Sequence, residues 1–339
     1  MWSIVARYER KIMPVDWTSF VELVRAHRCF LLTTHVRPDG DGLGSMLALA
    51  ETLERHGKEC DLVIASVFPP RYAFLDPRQR IARFAPPGDR WRNAEAVIIL
   101  DTGTWGQLDS FGTFLRDSKV PRAVIDHHQT QDDLGGMRFI DITAEATGRL
   151  THEAIRALNY PLTPTAASHL FVALAMDTGW FRHANTTPAT FALAAELVQA
   201  GARPELLYDD LFERNSLPRL KLMGLVLDRL QVLEEGKVAY SEVRRGDYES
   251  TKATPQDTED LVNFTRSVAG VEVGMLFMEQ PRGGVKVSFR SRILDVARVA
   301  ERFGGGGHKL AAGATLQASL DEARARVLDA VSAALHPAP

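Results

Sequence analysis

Cys29-Phe30-Leu31-Leu32-Thr33-Thr34-His35-Val36-Arg37-Pro38-Asp39-Gly40-Asp41 is the stretch that decides the fold. Its first six residues carry no charge and read as a buried strand. That strand runs straight into an imidazole and two carboxylates. A helix follows from Gly44 to His56, with Met46, Leu47, Leu49, Ala50 and Leu53 on one side and a stop at Gly57. The pattern then recurs. Leu62–Ala65, Ala96–Leu100 and Ala123–Ile125 are short β-rich runs, the second ending at Asp101 and the third at Asp126-His127-His128. Helices are expected over Thr147–Leu158, over Thr165–Met176 after Pro164, and over Pro188–Ala200 before Gly201. Such alternation predicts an α/β fold: a mostly parallel sheet with helices on both faces.

In an open parallel sheet the carboxyl ends of the strands converge on one crevice. His35, Asp39, Asp41, Asp101 and His127 are delivered to such ends, and Asp177 closes the apolar segment before it. One cation needs fewer ligands than these six, whereas two divalent cations sharing a carboxylate use that number. Carboxylate and imidazole without thiolate suit Mn²⁺, with Mg²⁺, Co²⁺ and Zn²⁺ also compatible. Without cations, so many carboxylates in one crevice would repel one another. Each aspartate taken singly also reads as a cap or turn residue, Asp41 ahead of the Gly44 helix above all. The set, and no single member, points to metal.

The 339 residues suffice for about two domains. Forty basic against 43 acidic side chains leave a net charge of −3, which favours a local phosphate site over a long basic groove for nucleic acid. Cys29 and Cys60 have no CxxC neighbour, so neither a thiolate zinc site nor a disulfide framework is expected, and a reducing cytoplasm is the default compartment. Met1–Pro14 holds Arg7, Glu9, Arg10 and Lys11 and no apolar run, unlike a signal peptide. No uncharged apolar stretch reaches the ~18 residues of a membrane span.

The organisation read from the pattern is a metal domain over 16–200, a helical linker over 201–225, and a smaller α+β domain over 226–339. Helices from Tyr208 to Leu227 are read as interrupted at Pro218. The second domain shows strands at Lys237–Val243, Val271–Phe277 and Gly284–Phe289, and helices at Asp295–Arg302 and Leu320–Leu335. Between those helices lie Gly304-Gly305-Gly306-Gly307-His308. Consecutive glycines let backbone N–H groups approach an anion, and His308 adds a donor. Arg290-Ser291, at a strand end just before, are read as a phosphate clamp, and Arg182 as a further substrate contact.

His35-Val36-Arg37-Pro38-Asp39-Gly40-Asp41-Gly42-Leu43-Gly44-Ser45, Asp101-Thr102-Gly103, Asp126-His127-His128 and Asp177-Thr178-Gly179-Trp180-Phe181-Arg182 resemble, in order, the motifs of the DHH phosphoesterase superfamily. Gly305-Gly306-Gly307-His308-Lys309-Leu310-Ala311-Ala312-Gly313 resembles the signature of its DHHA1 domain. Within that superfamily the chain is most similar to the bacterial oligoribonuclease and pAp phosphatase group. The resemblance implies an enzyme that hydrolyses RNAs of two to five nucleotides and 3′-phosphoadenosine 5′-phosphate with a water activated by two metals. It puts His35 and Asp39 on one metal and Asp41 and His127 on the other, with Asp101 and Asp177 shared. Asp126 is then an orienting residue, and His128 a donor or general acid at the scissile phosphate. A cyclic or linear dinucleotide phosphodiesterase is the alternative, and a RecJ-like single-strand exonuclease a more distant one. Dimers occur in the superfamily, so a homodimer is among the states it allows.

Overall fold

In the computed structural model, residues 15–88, 91, 93–281 and 283–336 are described; the Met1–Pro14 stretch lies outside them. The chain divides into two compact units between Glu213 and Arg214.

The first unit opens with α1 (Thr18–Ala26) and alternates β1 (Cys29–Thr33), α2 (Gly40–Arg55), β2 (Glu59–Ile64), β3 (Ile81–Arg83), β4 (Ala96–Leu100), α3 (Asp109–Arg116), β5 (Arg122–Asp126) and β6 (Met137–Ile140). Four helices follow: α4 (Thr147–Ala157), α5 (Pro164–Asp177), α6 (Pro188–Gln199) and α7 (Pro204–Tyr208). The strands form one sheet in the order β3-β2-β1-β4-β5-β6, every pair parallel. Its central strands β1 and β4 are apolar and buried almost throughout because both faces are covered. Phe30, Leu32, Ile98, Leu100 and Ile125 join the core under α2 and α5, and Leu31, Val97, Ile99 and Val124 alternate to the core under α3. The order reverses between β1 and β4, which places the crevice of such a sheet beyond their carboxyl ends.

Helix α2 begins four residues earlier than the sequence pattern suggests, and it is buried nearly all round instead of on one side. Its early glycines disguise a helix start, because glycine is a poor helix former. Here they permit close packing: a Cβ on Gly44 would come within 2.4 Å of the His169 carbonyl oxygen on α5. The N-cap is Asp39, whose Oδ1 accepts from the N–H groups of Asp41 (3.0 Å) and Gly42 (3.2 Å). Asp41, the residue read as a cap, lies inside the first turn.

After α7 and a wide turn at Asp209–Glu213 comes the second unit, with α8 (Leu217–Asp228), β7 (Gln231–Leu233), β8 (Val238–Val243), α9 (Arg245–Thr251) and α10 (Val262–Ser267). It continues with β9 (Val273–Glu279), β10 (Val285–Ser291), α11 (Val296–Glu301), β11 (Gly306–His308), β12 (Ala311–Leu316) and α12 (Leu320–Leu335). Pro218 does not interrupt a helix. It sits in the opening turn of α8, where its missing N–H costs nothing, behind the Ser216 cap. The sheet order is β11-β12-β10-β9-β8-β7, antiparallel except for β8 with β9. One face is covered by α11 and α12. On the other, Leu222 and Val226 of α8 and Val262 of α10 pack on Leu276 and Met278 of β9. The unit is the smaller α+β domain expected.

Candidate active site

All six sequence-predicted metal ligands meet at the crevice. His35 follows β1, Asp39 and Asp41 head α2, Asp101 follows β4, His127 follows β5, and Asp177 ends α5. His35 Nε2 is 3.4 Å from Asp101 Oδ2 and 3.7 Å from Asp39 Oδ1. His127 Nε2 is 3.8 Å from Asp41 Oδ2, 3.7 Å from Asp101 Oδ1 and 3.7 Å from Asp177 Oδ2. Three groups result, His35–Asp39–Asp101, Asp41–His127–Asp177 and Asp101–His127–His128, each with its donor atoms within 4.8 Å of one another. Asp101 turns one oxygen to each imidazole. It does so from a left-handed backbone (φ 62°), a conformation aspartate tolerates better than most side chains.

The imidazoles are fixed from behind. Nδ1–H of His35 donates to the Val36 carbonyl (3.0 Å), and Nδ1–H of His127 to that of Ala144 (3.0 Å). A carbonyl accepts only from an N–H, so in the neutral ring each Nε2 keeps the lone pair, aimed into the crevice where a cation could take the place of a proton. His127 Nε2 is buried and has no hydrogen-bond partner among the described residues. A buried polar atom facing carboxylates without a bond is what a cation would satisfy, and the oxygen and nitrogen donors suit hard or borderline divalent ions.

Asp41 is held by Ser45, the last residue of the first motif, and by Thr147 and Gly148, which no motif reading singled out. Its Oδ2 accepts from Thr147 N–H (2.7 Å), and its Oδ1 from Gly148 N–H (2.8 Å) and the Ser45 hydroxyl (3.1 Å). The carboxylate thus sits at the positive end of α4, where negative charge is favoured. Thr147 Oγ1 donates to Asp101 (2.9 Å), so one residue braces two of the acids.

Asp126 is fully buried and gathers its own loop. Its Oδ1 accepts from the backbone N–H groups of His127 (2.9 Å) and His128 (3.2 Å) and from His128 Nδ1 (2.7 Å). That bond leaves the other nitrogen of the half-exposed His128 ring free. Gln131, another residue missed in the sequence, donates to Asp126 Oδ2 and to the His128 carbonyl (3.0 Å). Next to it, Asp132 N–H donates to the Gly103 carbonyl (2.7 Å), lacing the loop after β5 to the loop after β4. Only the polar character of Gln131, three positions past the triplet, hinted at this.

The crevice draws positive charge. Burial pushes the Asp41 carboxyl well above its usual range, and Asp101, Asp177 and Asp39 add to it. Asp177 is pushed up to about 6, by burial first and then by Asp101 and Asp39, with His127 opposing. Burial works against a charged His35, yet the Asp101 and Asp39 carboxylates outweigh it and carry the ring up to about 10. His128 rises to about 9, chiefly through its bond to Asp126. Asp39 alone runs the other way: burial raises it, but its contact with His35 and the N–H groups of Gly42 and Asp41 hold it below its usual range. The upward shifts of the rest mark a site short of cations.

The expected substrate contacts divide. Arg182 is exposed in the turn after α5, its Nε donating to the Gly179 carbonyl (2.7 Å). The others lie in the second unit. Arg290 on β10 and His308 on β11 both register with Ala311 of β12, so the two side chains leave the same face of the sheet with only a methyl group between them. Ser288, Gly313 and Gly306 form the next row on that face. Together they make a polar shelf beside the part of the sheet covered by α8 and α10. Ser291 is a correction: it is buried, and its Oγ accepts from the N–H groups of Ile293 (3.1 Å) and Leu294 (2.7 Å), shaping a turn. Gly305 is another, since its N–H is taken by the Ala300 carbonyl (2.9 Å) and is not free to cradle an anion. Gly307 pairs with the buried Ala312, on the opposite parity from His308, whereas Gly306 is on the shelf row.

Comparison with known proteins follows the same division. The family model described as "DHH family, N-terminal domain" matches residues 30–176, and the DHHA1 domain matches 235–336. A bifunctional oligoribonuclease and PAP phosphatase NrnA of Thermus thermophilus is 32% identical over 302 residues, 88% of each chain. The NrnA of Bacillus subtilis is 26% identical, over 90% of this chain and 95% of its own. Among solved structures, an exopolyphosphatase-related protein from Bacteroides fragilis superposes with a TM-score of 0.86 at 22% identity, over 93% of this chain and 95% of that one. Exonuclease RecJ bound to manganese gives 0.56 at 15% identity, over 94% and 95%. Both share the fold.

Proposed function

Because the chain belongs to the DHH–DHHA1 phosphoesterase family, in the group of bifunctional oligoribonucleases and PAP phosphatases, we propose that it hydrolyses RNAs of two to five nucleotides and 3′-phosphoadenosine 5′-phosphate with two divalent cations, Mn²⁺ foremost. The observation that carries the metal part is His127 Nε2, buried, unpartnered and ringed by Asp41, Asp101 and Asp177. His35, Asp39 and Asp101 would hold one ion, and Asp41, His127 and Asp177 the other, with Asp101 within reach of both. Cations there supply an activated water and neutralise phosphate charge.

The chain's own groups do the rest. The α4 N-terminus and Thr147 aim Asp41 and Asp101, and bound cations would hold both ionised against the burial that raises their pKa. His128, held at Nδ1 by Asp126, presents its other nitrogen as donor to the departing oxygen. Arg290 and His308 on the shelf take a phosphate of the substrate as a paired grip. A small net charge of −3 accords with short substrates, whose few phosphates need no long basic track. A reducing cytoplasm suits the two free cysteines.

A substrate panel with purified protein and Mn²⁺ tests this reading. 3′-phosphoadenosine 5′-phosphate and di- to pentaribonucleotides should turn over fast, and a long single strand slowly. Preference for cyclic or linear dinucleotides would move the site to that chemistry, and no turnover with metal bound would reject the hydrolase.

A further inference from the structure

At the ends of α2 and α5 remote from the crevice lies a groove of about 610 Å³, a volume in the range of small-molecule sites. The two helices run antiparallel: a Cβ on Gly40 would meet Met176, and one on Gly44 would meet His169. The ends bearing Asp41 and Asp177 therefore point one way and the groove lies the other. Ten residues of helix, about 15 Å, separate Glu51 in the groove from Asp41. Glu51 and Arg55 of α2 form one wall and His169 of α5 another. The segment between β2 and β3 supplies the third, with Phe74 and Leu75 as apolar surface and Arg78 exposed at the rim.

Most of the polar groups there are already engaged. Asp76 accepts from the N–H groups of Arg80 (2.9 Å) and Ile81 (2.8 Å), and Glu54 pairs with Arg80. Glu51 Oε1 accepts from the Thr163 hydroxyl (2.8 Å) and from Arg55 (3.3 Å). Three groups are left over. Glu51 Oε2 and His169 Nδ1 are buried without a hydrogen-bond partner among the described residues. His169 is 8% exposed, and its Nε2–H donates to the Leu75 carbonyl (3.1 Å). Burial holds the ring's pKa below its usual value, so the ring is neutral and Nδ1 is an acceptor. Two buried acceptors that lack a donor are costly, and they call for an explanation. The third group is the Arg78 guanidinium, which has no ion-pair partner among the described residues.

We infer that this groove is a second ligand site, for a nucleoside monophosphate whose base carries an exocyclic amine. The amine supplies the N–H donors that Glu51 Oε2 and His169 Nδ1 lack, and the phosphate takes the Arg78 fork. The ring between them lies against Phe74 and Leu47, which also lines the groove. The exposed Arg55 side chain, resting on Glu51, swings aside to admit the base. An amino acid offers the same two ends, but it has no nucleobase for the apolar wall and would leave most of the volume empty. A nucleoside monophosphate is also the kind of molecule that the proposed hydrolysis releases. The site itself stands on the groove alone and is tested without turnover.

Calorimetric titration of the full chain with AMP in EDTA is the experiment. AMP should bind saturably. Purine riboside 5′-monophosphate, which lacks the amine, and adenosine, which lacks the phosphate, should each bind about tenfold more weakly or worse, because a buried acceptor or the guanidinium is then left unpaired. Arg78→Ala and Glu51→Gln should each weaken AMP about tenfold or more, the second because an amide N–H2 then faces the amine. Arg290→Ala, on the shelf of the second unit, should leave AMP binding unchanged. Arg78 is exposed, and circular dichroism checks that both groove variants keep their fold. No saturable binding of AMP, equal binding of purine riboside 5′-monophosphate, or a loss with Arg290→Ala but none with Arg78→Ala would each overturn the inference.

Discussion

Replacing Asp177 by asparagine should raise stability without metal and lower it with metal. The carboxyl has a folded pKa of about 6 against an ordinary 3.8. Between those values the folded state holds a proton that the unfolded state has released. Stability therefore falls as pH rises through the window, and the full penalty is present above it. The gap converts to about 3 kcal/mol. The side chain is 32% exposed, so solvent screening reduces this to about 1–3 kcal/mol. Asparagine keeps the shape and removes the charge. In EDTA at pH 8, Asp177→Asn should melt about 2–10 °C above the wild type, and the gap should close toward pH 4. Saturating Mn²⁺ should reverse the order. Ligand at a hundredfold excess over Kd stabilises the wild type by about 2.7 kcal/mol per site, and a variant missing a ligand gains less. Scanning calorimetry in the two buffers reads both effects. A variant that melts at or below the wild type in EDTA at pH 8 would refute the charge argument; an unreversed order in Mn²⁺ would remove Asp177 from the ligand set.

Three further expectations follow from the geometry. Gln131→Met keeps the bulk but loses the bonds to Asp126 and the His128 carbonyl; kcat should drop about 10- to 100-fold with KM little changed, and the loss should vanish in a His128→Ala background if Gln131 acts through that ring. His308→Ala should raise KM about tenfold with kcat nearly intact, since the shelf binds and does not react, and Arg290→Ala should do the same; a fall in kcat alone would move these residues into the chemistry. Gly44→Ala should cost about 1–3 kcal/mol in urea unfolding, because the new methyl group would sit 2.4 Å from the His169 carbonyl oxygen and α2 and α5 would have to part.

Much of the first unit could be read from sequence because its signals are redundant. β1, β4 and β5 are each built on a short apolar run, and each leads into residues whose chemistry is conspicuous there. The edge strands β3 and β6 escaped notice, since Ile81–Arg83 and Met137–Ile140 are short and partly exposed and carry no continuous apolar run. The start of α2 was hidden for the opposite reason: the glycines that let it pack against α5 are the residues that argue against a helix in isolation. Ligands announce themselves by type, whereas the groups that aim them do so through backbone N–H donors, as Thr147 and Gly148 do for Asp41.

The second unit shows where that logic stops. A run of glycines, a histidine and an Arg-Ser pair look alike as phosphate ligands when written in a line. Strand pairing sorts them by parity. Arg290 and His308 emerge on one face because both oppose Ala311, whereas Ser291, one residue on, turns inward and spends its hydroxyl on a turn. A shift of one residue in a strand exchanges its faces, and a glycine run carries no apolar alternation to fix the register. The register comes from β12, whose Ala312, Ala314 and Leu316 are buried while Ala311, Gly313 and Thr315 are not. The alternation that decides which residues can touch a substrate is thus written in the neighbouring strand, and it becomes legible only once the pairing is known.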